Sequence, residues 1–274
     1  MNYRHAFHAG NFADLVKHAA LLDLLARLQA PGEPLAVFDT HAGRGLYDLS
    51  GEEAQRSREA EAGIARLMEA ADLPPALGQL RTAVSRLNAG GPASLYPGSP
   101  LLVAGALRKG DTYLGCELRP QEHSALSDAL AGWPAAKTAC ADGYVEVKKR
   151  LSVEGPALVL IDPPFEKSDD YERCAAALAA LRRRNPAAVV MVWLPIKDLE
   201  TFDAFLREAE DAYDGPLLVA EARVRPLVDP TRMNGCALVT ANAPEGFAEA
   251  LSEICGWVAH ELGDRGKAEV WTAG

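Results

Sequence analysis

Val159-Leu160-Ile161-Asp162-Pro163-Pro164-Phe165-Glu166 decides how the rest of the chain is read, because an apolar run meets an acid, two prolines and an aromatic ring without a spacer. The run 157–161 is bounded by Gly155-Pro156 and Pro163-Pro164 and reads as a fully buried parallel strand rather than a helix. Asp162 then stands at the strand's carboxyl end, the edge of an open α/β sheet where ligands bind. Pro163 steers Asp162 away from the helical region. Each proline has a fixed φ and no N–H, so this backbone is stiff and its carbonyls are free to accept from a ligand. Phe165 adds a flat apolar face. An acid, a rigid carbonyl and a ring suit a planar aromatic amine, which needs two acceptors for its N–H groups and a stacking surface. Asp-Pro is also ordinary turn chemistry; its place directly after a buried strand favours the functional reading.

Working outward, other strands end in the same way. Leu35-Ala36-Val37-Phe38 leads into Asp39-Thr40-His41-Ala42-Gly43-Arg44-Gly45, a strand followed by a glycine turn. It is not G-x-G-x-x-G, so a dinucleotide fingerprint is missing and only the looser strand-Asp-x-x-x-Gly-x-Gly remains. Residues 111–118 read as a strand carrying Glu117 where Rossmann-like folds place an acid against ribose hydroxyls. Residues 138–143 read as a short strand running into Asp142-Gly143. Asp39, Glu117, Asp142 and Asp162 would form an acidic rim, suited to a ligand with ribose hydroxyls, an exocyclic amine and a positive sulfonium. Between them, Tyr96-Pro97-Gly98-Ser99-Pro100 starts a helix expected over 101–107. There Ser99 either caps the helix through its hydroxyl or touches a ligand.

The N-terminal stretch is the densest in polar side chains. Tyr3, Arg4, His5, His8, Asn11, Asp14, Lys17 and His18 crowd ahead of and into an amphipathic helix expected over 15–28, with Leu15, Ala19, Leu22, Leu25 and Leu28 on one face. A segment folded over a ligand accounts for that crowding better than a solvated face. Lys17 and His18 in the first turns oppose the preference of a helix N-terminus for acids, and a local rule broken without compensation points to function. The three histidines lack a carboxylate or cysteine at ligand spacing, so no metal is expected.

Residues 49–95 interrupt the β-α alternation with helical segments expected over 52–71 and 76–88, and read as a helical insertion whose role, substrate contact or packing, stays open. Further on come a helix over 170–183, ending in Arg182-Arg183-Arg184, and a strand over 188–194. The three arginines suit either the helix C-terminus or an RNA contact. A helix over 199–212 follows, then strands over 217–224 and 235–241 joined by a loop with Arg225 and Arg232 that could face substrate. A helix over 246–262 precedes a polar tail. The 274 residues carry a net charge of -10, which argues against a surface that coats nucleic acid generally; any nucleic acid is gripped by local patches. Five scattered cysteines without a C-x-x-C pair are reduced-compartment usage. No apolar run approaches the roughly 20 residues of a membrane span, and no apolar leader follows Met1. The expectation is a soluble cytoplasmic protein.

Asp162-Pro163-Pro164-Phe165 resembles the Asp-Pro-Pro-[Phe/Tyr] of amino-methyltransferases, and the order of strand-end acids resembles the class I methyltransferase layout. With Tyr3-Arg4-His5-x-Phe7-His8-Ala9-Gly10-Asn11-x-Ala13-Asp14-x-x-Lys17-His18 and Asp39-Thr40-His41-Ala42-Gly43-Arg44-Gly45 added, the chain resembles, nearly end to end, the ribosomal RNA large subunit methyltransferase J family. That family N6-methylates an adenine in 23S ribosomal RNA. The resemblance implies an α/β, Rossmann-like, S-adenosylmethionine-dependent class I fold, one domain over 1–274 with the insertion at about 49–95. It implies that His18, His41, Ser99, Glu117, Asp142, Gly143 and Asp162 contact S-adenosylmethionine and that Asp162 is catalytic. Tyr3, Lys17, Pro163 and Phe165 would meet the substrate. Phe165 stands where some members have tyrosine, which keeps stacking and loses a hydroxyl. The implied partner is 23S ribosomal RNA, met by a monomer with no membrane association.

An exocyclic amine is a poor nucleophile because its lone pair is delocalised into the ring. Hydrogen bonds to Asp162 and the adjoining backbone would draw electron density back to nitrogen for in-line attack on a methyl group, with the target base unstacked to reach the pocket. Methyltransferases of DNA adenine, of another RNA or of a protein amide would share the central motif. A non-catalytic RNA-binding module would not need the acidic rim, and a nicotinamide dehydrogenase would need the missing glycine fingerprint.

Overall fold

A computed structural model describes residues 8–51 and 57–274. In chain order the first half holds α1 (Phe12–Gln29), β1 (Ala36–Asp39), β2 (Leu46–Asp48), a π-helical turn (Glu61–Ala65) running into α2 (Arg66–Glu69), α3 (Pro75–Leu87), β3 (Leu95–Pro97) and α4 (Ser99–Ala106). Then follow β4 (Thr112–Cys116), α5 (Pro120–Ala129), β5 (Ala136–Ala139), α6 (Gly143–Arg150), β6 (Ala157–Ile161) and α7 (Asp170–Arg184). The chain continues through β7 (Val189–Ile196), α8 (Leu199–Ala212), β8 (Leu217–Arg223), β9 (Gly235–Ala241), α9 (Phe247–Glu261) and β10 (Lys267–Ala273).

Strand alternation builds two cores. In β6, Leu158 and Leu160 point to one side with Val189 and Met191 of β7. Val159 and Ile161 point to the other with Val190 and Val192. Because both faces are covered, every residue of β6 is buried, the condition under which a parallel strand reads as a continuous apolar run. The first core is closed by α1, α3, α4, α5 and α9, the second by α6, α7 and α8.

The sheet runs β10-β8-β9-β7-β6-β1-β4-β5. Strands β5, β4, β1, β6 and β7 are parallel, while β9 is antiparallel to both β7 and β8. The order reverses at β1, whose two neighbours are β4 and β6, so the crevice at the carboxyl ends of these strands is the binding position of a doubly wound fold. This is the Rossmann-like, class I arrangement expected.

Three features differ from the sequence reading. Helix α1 starts at Phe12 and is buried continuously from Ala13 to Leu21, because α3, α4 and α9 surround it; a one-faced amphipathic helix was expected. Its N-cap is Asn11, whose side chain accepts from the Ala13 and Asp14 N–H groups. The insertion is closed at its base by an antiparallel ribbon, with Tyr47 of β2 opposite Tyr96 of β3. The polar tail is strand β10, antiparallel to β8 from Lys267↔Arg223 to Ala273↔Leu217. Polar and apolar residues alternate over 267–270, and from Trp271 the apolar residues change face, with Ala268 and Val270 against the first core and Trp271 and Ala273 against the second. The three arginines at the end of α7 serve the fold: they donate to the carbonyls of Pro186 and Ala188, of Ala212, and of Leu151.

Candidate active site

A cavity of about 350 Å³ opens at the carboxyl ends of β1, β4, β5 and β6. Its wall includes His18, His41, Ser99, Glu117, Asp142, Gly143, Asp162 and Pro163, and also Lys17. Among expected site residues, Tyr3 lies outside the described residues. Two others are placed differently. The wall runs through Pro163, Pro164 and Glu166 but not Phe165. Phe165 has φ +49°, a conformation that costs a bulky residue on the order of 1–3 kcal/mol. Its ring rests on Tyr171 and Trp193, at centroid distances of 4.7 and 5.9 Å. Asp39, expected on the rim, is buried beneath it and accepts from the Ser99 hydroxyl at 2.6 Å. Ser99 therefore does not cap α4, whose N-cap is Gly98. Burial pushes the Asp39 carboxyl up to about 6, against the Ser99 hydrogen bond.

The reacting side of the cavity is built by α1 and β6. Lys17 Nζ lies 2.6 Å from Asp162 Oδ2 and 3.0 Å from Asp14 Oδ1, with its ammonium 5.8 Å from the Trp193 ring centroid. Burial alone would lower the Lys17 pKa, but the carboxylates of Asp14 and Asp162 outweigh it and hold it well above the usual lysine range. Lys17 is thus a fixed cation at neutral pH. It occupies one oxygen of Asp162, and among the described residues Oδ1 carries no hydrogen bond. His18 Nδ1 is 2.7 Å from the Tyr96 hydroxyl, which joins α1 to the ribbon beneath the insertion.

The opposite side is set by β1, β4 and α6. The Thr40 hydroxyl donates to the Leu160 carbonyl at 3.1 Å and lies 2.8 Å from His41 Nδ1. With its single proton spent, Thr40 accepts from Nδ1–H, which leaves His41 Nε2 as an acceptor. Burial draws the His41 pKa down to about 4, so the imidazole is neutral. Glu117 is 8% exposed; its Oε1 accepts from the Arg119 N–H at 2.7 Å, leaving Oε2 available. Asp142 Oδ1 caps α6 by accepting from the Tyr144 and Val145 N–H groups, and Oδ2 accepts from Arg173 at 2.9 Å. A Cβ on Gly143 would stand 1.9 Å from the Thr40 carbonyl oxygen, so only glycine lets α6 close on the loop after β1.

This wall suits a nucleoside carrying a sulfonium. Glu117 offers an open carboxylate oxygen for a ribose diol, and His41 offers a neutral acceptor. Of the cations in the wall, Lys17, Arg119 and Arg173 each sit beside a carboxylate, while Lys167 makes no ion pair among the described residues. Sequence reasoning missed the Lys17–Asp162 bond and Arg173. Arg173 stands in the first turn of α7, where cations are disfavoured; Lys17 does not break that rule, because α1 starts at Phe12 and its first turn carries Asp14.

Comparison with known proteins agrees with this geometry. Residues 32–273 match the family model described as ribosomal RNA large subunit methyltransferase D, RlmJ. The chain is 31% identical over 263 residues to ribosomal RNA large subunit methyltransferase J of Escherichia coli (strain K12), covering 96% of this chain and 94% of the relative. It is 32% identical over 274 residues to the protein of that name from Haemophilus influenzae, covering 99% and 97%. A crystal structure of a Legionella pneumophila protein superposes with a TM-score of 0.87 at 26% identity, covering 97% of this chain and 98% of that one. Matched along nearly its whole length in sequence, the chain belongs to the ribosomal RNA large subunit methyltransferase D, RlmJ, family.

Proposed function

We propose that this protein methylates N6 of an adenine in 23S ribosomal RNA, with S-adenosylmethionine as methyl donor. The observation that carries this reading is Asp162. It stands at the end of a buried strand, next to two prolines on the cavity wall, with one oxygen held by Lys17 and the other open. When bound, S-adenosylmethionine supplies an electrophilic methyl group on a sulfonium.

Every other element of the reaction belongs to the chain. Asp162 Oδ1 accepts one N6–H of the adenine and the stiff carbonyls of the Asp162-Pro163 turn accept the second, which localises the nitrogen lone pair. Lys17 holds one oxygen of Asp162 in place, so the carboxylate orients the amine through the other oxygen and takes a proton as nitrogen becomes positive. Glu117 and His41 hold the nucleoside of the donor, while Ser99, Asp142 and Gly143 shape its cavity. The target base leaves its stack to enter. As a modifier of ribosomal RNA the protein acts in the cytoplasm, as a monomer. Among the described residues no helix is long and apolar enough to cross a membrane.

Incubation of the purified protein with tritiated methyl donor and, separately, 23S RNA, DNA and protein tests the reading. Label is expected in RNA as N6-methyladenine, confirmed by mass-spectrometric mapping of 23S RNA from cells with and without the gene. Label confined to DNA or protein, or an unchanged RNA map, would overturn it.

A further inference from the structure

Residues 8–11 lie against the insertion. His8 Nδ1 is 3.0 and 3.1 Å from the two carboxylate oxygens of Glu59, and Asn11 Nδ2 donates to Glu59 Oε2 at 2.9 Å. With Nδ2 committed to Glu59, Asn11 turns Oδ1 toward α1 and caps it at 3.0 Å to both Ala13 and Asp14 N–H. Glu59 therefore sets which way the capping amide faces.

The main chains meet as well. Ile64 N–H donates to the Gly10 carbonyl at 2.8 Å. Ile64 belongs to the π-helical turn, a distortion that interrupts the regular ladder and is common at functional sites. A Cβ on Gly63 would stand 2.2 Å from the Gly10 oxygen, and Gly10, at φ +77°, would itself drive a Cβ to 2.8 Å from Ile64 Cγ2. Two facing glycines make a joint that no side chain can enter.

From that joint a line of contacts reaches the reacting carboxylate. Gly10 N–H donates to Asp14 Oδ2 at 2.9 Å, Asp14 Oδ1 is 3.0 Å from Lys17 Nζ, and Lys17 Nζ is 2.6 Å from Asp162 Oδ2. Asp14 and Lys17 are 3% and 5% exposed, so neither relaxes into water if its partner shifts. We infer that the helical insertion is a positioning element for methyl transfer: Glu59 and Gly63 fix the turn at 8–11, hence Asp14 and Lys17, and hence the direction in which Asp162 presents its open oxygen. Glu59 is a positioning residue acting through Lys17. The inference rests on the reading of Asp162 as the acceptor of the amine.

Two variants of the full chain, Glu59→Ala and Glu59→Gln, test it. Glu59→Ala is expected to lower kcat on 23S RNA about tenfold, with the calorimetric Kd for S-adenosylmethionine unchanged within about twofold. Glu59→Gln keeps an acceptor for Asn11 and is expected to recover most of that loss. In a Lys17→Arg background, Glu59→Ala is expected to add little, since residues acting as one unit are not additive. A kcat unaltered by Glu59→Ala, a loss confined to KM for RNA, or a full additional loss in the Lys17→Arg background would overturn the inference. A second measurement needs no substrate. The ¹H–¹⁵N signal of the buried Lys17 ammonium is expected to shift or broaden in Glu59→Ala, and an unchanged signal would also overturn it. A wild-type protein inactive on RNA but with that signal moved would instead sink the reading of the substrate.

Discussion

Two acids at the same edge of the sheet are held in opposite ways. Asp142 follows β5; one oxygen caps α6, the helix it begins, and the other meets Arg173 of α7, 31 positions on, in a pair whose side chains are 33% and 36% exposed. Asp162 follows β6 and is fixed by a residue from the other end of the chain, Lys17, in a pair whose side chains are 6% and 17% exposed. The first pair is wet and the second dry. A wet ion pair contributes little, whereas a buried one, once built, is expensive to break because its remaining charge stays behind. The side of the cavity that shapes the donor site is therefore tolerant, and the side that does chemistry is brittle.

The strongest way to break this contrast is Lys17→Met. It strands the buried carboxylate of Asp14, so stability is expected to fall by about 3–5 kcal/mol, read by urea unfolding; a loss below 1 kcal/mol would make the two pairs equivalent. Asp162→Asn preserves shape and removes charge. Methyl transfer is expected to drop about 10²–10⁴-fold while Kd for the donor moves little, and wild-type turnover in this variant would end the role given to Asp162.

Asp39 and His41 sharpen the contrast from beneath. Burial raises Asp39 from 3.8 to about 6 and lowers His41 from 6.5 to about 4. The stability that Asp39 contributes is complete below 3.8 and lost as pH rises through about 6. That of His41 is complete above 6.5 and lost as pH falls toward about 4. The two slopes oppose each other in the intact protein. His41→Asn should unmask Asp39, so between about pH 4 and 6 the variant loses stability relative to wild type as pH rises. The loss is on the order of 1–2 kcal/mol, allowing for water in the cavity. Parallel pH profiles would contradict this. The smallest effect is expected from Arg173→Gln, under about 1 kcal/mol in stability and a few-fold in donor Kd by calorimetry.

Distance along the chain explains what could be read from sequence. Features made by neighbours were legible: the apolar run of β6, the turn of Asp162-Pro163-Pro164, and the strand-acid-glycine order that brings Glu117, Asp142 and Asp162 to one cavity. Features made by distant partners were not. Nothing around Ser99 says that its hydroxyl will turn from its own helix to Asp39, 60 positions earlier. Nor does anything around Asp162 name Lys17, 145 positions away. The one trace was electrostatic, in Arg173 standing where a helix prefers acids. Strand β10 was hidden for another reason: its apolar residues fall on both faces, Ala268 and Val270 toward one core and Trp271 and Ala273 toward the other, so no sustained alternation marks it.

Helix α1 carries a consequence for synthesis. Its apolar surface is covered in part by α9, and translation at about 5–20 residues per second leaves roughly 10–45 s between the emergence of Gln29 and that of Phe247. During that interval α3 and α4 are already available to α1, while the face that α9 covers stays open to water until the last helix emerges.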